Sequence, residues 1–487
     1  MAESSIRTDD KMSIFRPPIV RSAASGILDR SLFSKTIPLS AARIANNKNI
    51  TKCRSQMQKS KELLLLERIS NVRPDPDPQL AEKGGKCLLL KPEVKHDDPT
   101  TWSTILQDAV KAQELGVVPY NLTLDYNYWN YSTILTLNYT QQRLTLYIVD
   151  IMTSILPEDA QGEIPVGFAI VGHSHPAAHL NLHDEYLPYK KLIAEVLLDK
   201  NPTIRTVINK VSDVGTHSEY RTFSYEVLAG EDDMNVEIRE GDCTFRFDYS
   251  KVYWNSRLQT EHKRLVDMFN PGDVVCDVMA GVGPFAVPAG KKGVFVWAND
   301  LNPNSYAALK DAVVRNKVEN FVHPFNEDGH KFIPHAADDL LALALSPNNT
   351  IAIPPKRFSR SAPPPPPTII TIPPTINHFV MNLPASAISF IPAFQGLYHG
   401  HEKLFEPHTD RKLPMVHTHC FSTKGDDNVR QGKEICERVS EMLGVQVIQG
   451  DRYETSVWDV RDVAPNKRMF CVSFRLPEVV AFGERRA

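Results

Sequence analysis

The stretch DVVCDVMAGVGPFAVPAG (273–290) predicts a buried strand, a glycine-containing loop and then a helix. Its apolar start, its paired glycines and its helix-forming end follow the order of a strand–loop–helix unit. Further on, VFVWAN predicts a second buried strand that ends at Asp300, and SYAALKDAVVRN predicts the next helix. Alternating strands and helices are typical of a parallel, doubly wound sheet. The sequence therefore predicts an α/β domain over residues 269–487.

The loop carries an acid and two glycines, Asp277, Gly281 and Gly283, but has Phe285-Ala286 where a dinucleotide loop has its third glycine. Asp300 closes the second strand, where an acid can accept both ribose hydroxyls of an adenosine. The combination favours S-adenosylmethionine over a dinucleotide. Taken separately, the glycines could form only a tight turn, and Asp300 could only cap a helix.

Two further strand ends add candidates. Asp328, in FNEDGH, fits a contact to the adenine amino group, although Asp-Gly is first of all a turn signal. NHFVMNLPASA (377–387) predicts a strand with Asn382-Leu383-Pro384 at its carboxyl end, where ligands bind in open α/β sheets. This triplet is similar to the Asp/Asn-Pro-Pro motif of enzymes that methylate nitrogens. It could also be a simple turn.

Composition excludes several classes of protein. The chain has 487 residues, 42% hydrophobic and 23% charged, which fits two to four globular domains. A net charge of −3 excludes a globally basic nucleic-acid binder. No apolar run reaches the roughly 18 residues of a membrane span. The seven cysteines form no CxxC pair, which argues against a zinc ribbon and a disulfide framework.

Residues 1–60 form a basic leader. Between Met12 and residue 60 there are nine Lys or Arg and one acid, Asp29, which is typical of a mitochondrial presequence. Acids before Met12 do not fit that interpretation, so initiation at Met12 would give a cleaner presequence. A basic RNA-facing surface of a folded domain explains the composition equally well.

Changes in the helix and strand patterns along the sequence indicate the remaining domains. A small α/β domain is expected over 61–135, where KELLLLERIS and TWSTILQDAVKAQELG predict helices and KCLLLK a strand; it could begin within the leader. Residues 136–156 have the character of an insert, and short strand patterns over 157–268 indicate a middle α+β domain. A second, proline-rich insert at about 343–375 contains five consecutive prolines, which fit no strand or helix interior.

Four histidines lie close together in sequence, at 173, 175, 179 and 183. The last two have the spacing of metal ligands on a helix, but Pro176 and the strand-like HLNLH disfavour a helix there. We expect packing or RNA contacts, and no metal site.

Several longer stretches show that the chain resembles the tRNA (guanine 37, N1) methyltransferases of archaea and eukaryotes. They include HLNLHDEYLPYK (179–190), VINKVSDVGTHSEYRTFSYEVLAGE (207–231), FRFDYSKVYWNSRLQTEHKRL (245–265), ANDLNPNSYAALKDAVVRNKV (298–318) and VAPNKRMFCVSFRLP (463–477). The resemblance covers most of the chain apart from the two inserts, and it is closest to fungal members.

The resemblance implies a class I, Rossmann-like methyltransferase domain, a middle α+β domain and a small N-terminal tRNA-binding domain. It implies that the partner is a tRNA bearing guanine 37, that the protein is a monomer, and that it works in mitochondrial matrix, cytoplasm and nucleus. Arg221, Tyr253 and Glu261 match positions that serve catalysis. The positions around the cofactor match His262, Asp300, Leu301, Asp328, Gly329 and Asn382.

The implied chemistry needs a base, because N1 of guanine carries a proton at neutral pH. Glu261 could remove that proton, from the second turn of a helix that Ser256 caps. The Arg221 guanidinium could hold the charge that develops on O6, and Tyr253 could offer a hydroxyl or a stacking face. On local sequence alone, Glu261 and Arg221 would be ordinary surface charges.

Two other functions stay open. A related family transfers the aminocarboxypropyl arm of the same cofactor to the same nucleotide during wybutosine synthesis. A non-catalytic tRNA-binding protein with a vestigial cofactor fold is the other. Label retained only from the methyl group would select methylation, and cofactor binding without turnover would select the non-catalytic protein.

Overall fold

The structure is a computed structural model. It describes residues 13–21, 26–129, 133–139, 142–148, 150–161, 168–173, 176–211, 220, 222, 224–347, 349–353, 366–423, 425, 428–464 and 466–485. Its internal contacts divide the chain into two units. The first comprises 1–168, 180–202 and 228–230, and the second comprises 169–179, 203–227 and 231–487.

The first unit contains a four-stranded sheet of order β2-β3-β1-β4, in which every neighbouring pair is antiparallel. Its helices pack Cys53, Met57 and Leu106 against Leu88, all fully buried. The elements are β1 (Lys35–Ile44), α1 (Ile50–Lys59), β2 (Val72–Pro74), α2 (Pro78–Glu82), β3 (Lys86–Leu89), α3 (Thr104–Lys111), β4 (Leu115–Leu124), β5 (Thr133–Tyr139), β6 (Gln142–Ile148) and α4 (Asp150–Ile155).

The leader is partly structural, because β1 and α1 both lie within residues 1–60. The helix expected at KELLLLERIS is wrong: Leu63 and Leu66 make isolated bridges to Leu90 and Ile69 instead. The helix expected over TWSTILQDAVKAQELG is shorter than predicted, since α3 ends before Ala112 and Gly116 already lies within β4. Apolar residues alone did not distinguish a helix from a buried extended segment here.

The apparent insert at 136–156 has two parts. β5 and β6 form a hairpin that pairs with no other strand of the described chain. α4 buries Ile151, Met152 and Ile155 completely, so this helix belongs to the core of its unit. Residues 136–156 therefore combine an isolated hairpin with a buried helix, and their origin as an insert stays a prediction.

The middle region holds a four-stranded sheet of order β10-β9-β8-β7 and a separate hairpin of β11 and β12. A helix over Lys190–Lys200 accompanies these strands. The elements are β7 (Ala169–Val171), β8 (Ala177–Leu180), α5 (Lys190–Lys200), β9 (Thr206–Lys210), β10 (Tyr225–Gly230), β11 (Asn235–Glu240) and β12 (Cys243–Asp248).

The C-terminal part of the second unit is built on a seven-stranded sheet of order β15-β14-β13-β18-β19-β21-β20. The first five strands in this order are parallel, and β21 and β20 add an antiparallel edge. The elements are α6 (Gln259–Met268), β13 (Val274–Asp277), α7 (Ala286–Lys291), β14 (Phe295–Asn299), α8 (Pro303–Asn316), β15 (Val322–Phe325), α9 (Gly329–Leu345), β16 (Thr350–Ile353), β17 (Thr368–Thr371), β18 (His378–Met381), β19 (Met415–Thr423), α10 (Asn428–Leu443), β20 (Ser456–Ala464), β21 (Lys467–Arg475) and α11 (Glu478–Ala481).

This sheet confirms the predicted α/β fold. The strand–loop–helix unit at 273–290 becomes β13, the loop and α7, and the strand ending at Asp300 becomes β14. Both faces are apolar: Phe295, Trp297 and Phe379 lie in one buried cluster, and Val275 and Val296 lie in another. Burial on both faces explains why the parallel strands are continuously hydrophobic in sequence.

The proline-rich insert lies between α9 and β18. Its flanks pair with each other, since β16 and β17 form an antiparallel hairpin stem. The prolines at 363–365 lie outside the described residues. Among the helices that are described, none is long and apolar enough to cross a membrane.

Candidate functional site

The loop after β13 is fastened to the end of β14. The backbone N–H of Gly281 donates to Oδ2 of Asp300 at 2.8 Å, and Gly281 has a φ of +59°. Oδ1 of Asp300 accepts from the backbone N–H of Asn302 at 2.9 Å. Burial raises the pKa of Asp300, although these backbone hydrogen bonds oppose the shift. Asp300, which the sequence predicts as the acceptor of ribose hydroxyls, thus lies directly against the Gly281 loop.

Gly283 has a packing role. A Cβ built on it would lie 2.6 Å from Cδ1 of Leu309 and 2.9 Å from Cγ2 of Val287, and its φ is +95°. The absence of a side chain at 283 therefore lets α7 and α8 approach each other. Gly283 does not line the cavity described next.

A cavity of about 140 Å³ opens at the carboxyl ends of the parallel strands, where ligands bind in open α/β sheets. Seven predicted site residues line it: Tyr253, Gly281, Asp300, Leu301, Asp328, Gly329 and Asn382. Sequence reasoning missed the other lining residues, which are Tyr220, Val278, Met279, Asn299, Asn302, Ser305, Leu383 and Phe390.

Asp328 and Gly329 form the start of α9. Asp328 caps the helix, with Oδ1 accepting from the backbone N–H of His330 at 2.8 Å. A Cβ on Gly329 would lie 2.9 Å from the ring of Phe390, which stacks on His330 with the ring centroids 3.9 Å apart. The glycine thus gives Phe390 access to the cavity wall.

Asn382 directly follows β18 and lines the cavity. Its Oδ1 is buried and has no hydrogen-bond partner among the described residues. Pro384 does not line the cavity, but its carbonyl accepts from the backbone N–H of Phe421 at 3.1 Å and so ties the Asn-Leu-Pro loop to β19. An amide oxygen held without a partner in a cavity is available to a ligand.

Asp277 is fully buried at the end of β13, and neither carboxylate oxygen has a hydrogen-bond partner within the described chain. Burial, reinforced by Asp300, raises the pKa of Asp277 well above its usual range. A buried acid without partners is costly unless a ligand or a proton compensates it. Asp277 lies outside the cavity lining.

Glu261 lies in the first turn of α6, and Ser256 does not cap that helix. Leu258 is at the N-cap of α6 and makes no side-chain capping hydrogen bond. Asn255 caps the preceding 3₁₀ turn over Ser256–Leu258, where its side chain accepts from the backbone N–H of Arg257. Glu261 is 3% exposed and is not part of the cavity lining.

Two cations hold the Glu261 carboxylate. Arg264 donates from Nε to Oε2 and from Nη2 to Oε1, both at 2.7 Å, and Nε2 of His419 lies 2.7 Å from Oε1. Burial would raise the pKa of Glu261, but hydrogen bonds from Arg264 and His419 outweigh it and lower the pKa to about 2. The carboxylate is therefore ionised and saturated, which is unlike a base ready to take a proton.

Cys471 lies beside this pair. Ligand atoms of Glu261, His419 and Cys471 all lie within 4.8 Å of one another, the one metal-ligating group found in the described residues. Arg264 already occupies both carboxylate oxygens, which leaves an ion pair rather than an open coordination site. The four sequence-clustered histidines have other surroundings: His173 accepts from the backbone N–H of Arg239, and His175 lies outside the described residues.

His262 faces away from the cavity of Asp300. Its Nδ1 lies 2.6 Å from Oε1 of Glu240, and its ring meets Phe285 edge-on at 4.9 Å. It lines a different cavity, with Glu240, Gln259 and Pro288. Tyr253 does line the main cavity, whereas Arg221 lies outside the described residues. The roles of all the site residues stay predictions.

Comparison with known proteins identifies the family. Residues 148–233 match the family model described as TYW2 N-terminal domain, and residues 236–348 match that of the TRM5/TYW2 methyltransferase domain. The tRNA (guanine(37)-N(1))-methyltransferase of Fusarium vanettenii is 55% identical over 478 residues, 97% of this chain and 98% of the relative. That of Schizosaccharomyces pombe is 42% identical over 460 residues, 94% of this chain and 95% of the relative.

A solved complex of aTrm5 with tRNALeu has the same fold, with a TM-score of 0.51 and 18% identity over 90% of this chain and 100% of that one. Together with the parallel sheet and its strand-end cavity, this assigns a class I methyltransferase fold. Since the matches to the fungal relatives run almost end to end, the chain belongs to the tRNA (guanine(37)-N(1))-methyltransferase family.

Proposed function

We propose that the protein transfers a methyl group from S-adenosylmethionine to N1 of guanine 37 in tRNA, giving N1-methylguanosine beside the anticodon. Membership in the family supports this reaction. The observation that carries it in the structure is Asn382, which lines the same cavity as Asp300 and the Gly281 loop and whose buried amide oxygen has no partner in the described chain. One cavity thus joins a nucleoside-binding acid to a polar group suited to a planar base.

The cavity fits S-adenosylmethionine, which when bound supplies a methyl group on a positively charged sulfur. Asp300 would accept the ribose hydroxyls, and Asp328 would accept from the adenine amino group. The absence of a side chain at Gly329 lets the Phe390 ring lie against the start of α9, because a Cβ there would collide with that ring. The amide oxygen of Asn382, a residue of the cavity wall, has no partner in the described protein. Asp277 lies behind that wall, where its raised pKa favours the protonated form.

Asn382 and Tyr253 would position the guanine. The Asn382 amide can accept from an N–H on the base edge with Oδ1 and can donate with Nδ2. Tyr253 lines the same cavity and can stack on the base or donate its hydroxyl. Arg221, next to cavity-lining Tyr220 in sequence, keeps its predicted role at O6.

Glu261 keeps its proposed role as the acceptor of the N1 proton, with a condition that the structure adds. Its carboxylate must first be released from Arg264, because the bidentate ion pair occupies both oxygens. Substrate phosphates are suitable competitors, since guanidinium binds phosphate in the same forked geometry. The side chain of Arg264 is 22% exposed, so solvent and ligand can reach it.

A transcript of a tRNA with guanine 37, incubated with the protein and either methyl- or carboxyl-labelled S-adenosylmethionine, tests the reaction. Digestion and mass spectrometry should give N1-methylguanosine at position 37 and label only from the methyl group. Carboxyl label in the RNA would replace methylation by aminocarboxypropyl transfer. Binding of cofactor and tRNA without any product would leave a non-catalytic tRNA-binding protein.

We also propose that the protein is a monomer and works in mitochondrial matrix, cytoplasm and nucleus. The acid-poor stretch after Met12 supports import, but a cleaved presequence must end before β1 begins at Lys35. Tagged protein that stays outside mitochondria even when translated from Met12 would contradict the import proposal. Light scattering after size-exclusion chromatography should give a mass near 54.8 kDa for the full chain, and twice that mass would contradict a monomer.

A further inference from the structure

The edge of the methyltransferase sheet exposes a large aromatic side chain. Trp458 lies on the edge strand β20 and is 53% exposed. One of its faces is covered by Arg264, whose guanidinium carbon is 5.1 Å from the ring centroid. Exposed tryptophans are uncommon because burying the ring would stabilise the protein, so this position calls for an explanation.

A β-bulge brings an arginine onto the same face. In the ladder, Trp458 is paired with Cys471, and Cys471 with His419, so the three share one face of the sheet. Regular alternation would direct Arg461 to the opposite face. The register shift between Asp459 and Arg461 instead pairs Arg461 with Met469, which shares the face of Cys471.

This arrangement points towards the cofactor cavity. Met469 is paired in turn with Phe421, so the row Phe421–Met469–Arg461 lies nearer the carboxyl end of β19 than the row of Trp458. Ligands bind at that end of parallel strands. Phe421 also contacts the Asn-Leu-Pro loop, because its backbone N–H donates to the carbonyl of Pro384.

The charges on this face are positive. Nη1 of Arg461 is buried without a hydrogen-bond partner in the described part of the chain. Burial and the neighbouring, exposed Arg257 lower the pKa of Arg461, while Tyr253 of the cavity wall raises it. Arg461 therefore lies close enough to Arg257 and to Tyr253 of the cavity wall for their charges to act on it.

We propose that Trp458 is a stacking platform for a nucleotide of the substrate tRNA next to the methylated guanine, and that Arg461 binds the phosphate beside it. The inference rests on the proposed tRNA substrate. Single-stranded nucleotides bind by stacking on aromatic rings and by neutralising their phosphates with Arg or Lys, and this surface offers both.

Trp458→Ala and Trp458→Phe separate stacking from mere exposure. With labelled tRNA, Trp458→Ala should raise the Kd about 10-fold or more, whereas Trp458→Phe should stay within a few-fold because it keeps an aromatic face. Val479→Ala removes an equally exposed side chain from α11 and should have no effect. Cofactor affinity, measured by calorimetry, should be unchanged in all three variants.

Arg461→Ala tests the phosphate contact through salt dependence. Loss of one phosphate contact should lower the slope of log Kd against log salt by about 0.7 to 0.9. Arg315→Ala is the matched control, because Arg315 pairs with Asp311 on α8 and should leave that slope unchanged.

The outcomes distinguish this inference from the function on which it rests. If the wild-type protein produces no N1-methylguanosine, the proposed function fails first. If it does, and Trp458→Ala binds tRNA like the wild type, only the stacking platform is refuted. Equal losses in Trp458→Ala and Trp458→Phe would also refute it, and so would an unchanged salt slope in Arg461→Ala.

Discussion

The guanidinium of Arg264 holds both carboxylate oxygens of Glu261, one through Nε and one through Nη2, each at 2.7 Å. The same guanidinium lies over the ring of Trp458 at the protein surface. Arg264 therefore connects the proposed base to the proposed RNA surface.

Replacing Glu261 by Gln should slow methyl transfer by about 100-fold or more in a single turnover, because the amide cannot accept the N1 proton. Cofactor affinity should hardly change, since Glu261 lies outside the cavity lining. Rapid quench with excess enzyme measures the chemical step apart from product release. A near-normal single-turnover rate across the pH range would exclude Glu261 as the base.

Asp300→Ala should show the opposite pattern. The change removes the acceptor for Gly281 N–H and for the ribose hydroxyls, so the Kd for S-adenosylmethionine should rise about 10-fold or more. At saturating cofactor, methyl transfer should recover much of its rate. Failure to recover at saturation, with the fold intact by circular dichroism, would contradict a role limited to binding.

Arg264→Lys should change the pH dependence of the reaction. A lysine keeps the positive charge but cannot donate two parallel hydrogen bonds to the carboxylate. The pKa of Glu261 should therefore rise from its value of about 2. The acid limb of the pH–rate profile should then move to higher pH in the variant. A profile identical to the wild type would show that Glu261 does not titrate in the rate-limiting step.

Acid should destabilise the protein through Glu261. Its folded pKa of about 2 is below the unfolded value near 4.5, so its contribution is complete above about pH 4.5 and is lost as the pH falls towards 2. Chemical denaturation at pH 7 and pH 3 should show a smaller loss of unfolding free energy in Glu261→Gln than in the wild type. An equal loss would place the acid sensitivity elsewhere.

Gly283→Ala should destabilise the methyltransferase sheet by about 2 kcal/mol or more, because the new methyl group would collide with Leu309 and Val287. Gly272→Ala is the control: its φ of +90° is similar, but nothing lies within 4 Å of the added Cβ. Melting temperatures of the two variants separate packing from backbone strain. Equal losses would mean that strain alone accounts for the effect.

Deleting residues 354–365 and closing the hairpin with a short turn should leave cofactor affinity within about three-fold. The deletion leaves β16 and β17 paired, and neither strand lines the cavity. A loss of folding or of tRNA methylation would show that the proline-rich insert has a role of its own.

The sequence predicted the parallel part of the fold because its signals are local. Each strand, loop and helix from Val274 to Asn316 occupies consecutive residues with its own apolar period, and the site residues at the strand ends follow from it. The surroundings of Glu261 could not be predicted this way. His419 lies 158 residues further along the chain, and only the pairing of β18, β19 and β21 brings it under α6. The bulge that turns Arg461 has no comparable signal in the sequence.

The position of β1 sets a limit on truncation. Lys35–Ile44 pairs with β3 on one side and β4 on the other, and these two strands do not pair with each other. A protein shortened past Ile44 would keep those neighbours but expose the facing edges of both. Unpaired edges pair readily with other chains, so such a product should aggregate even though its second unit is complete.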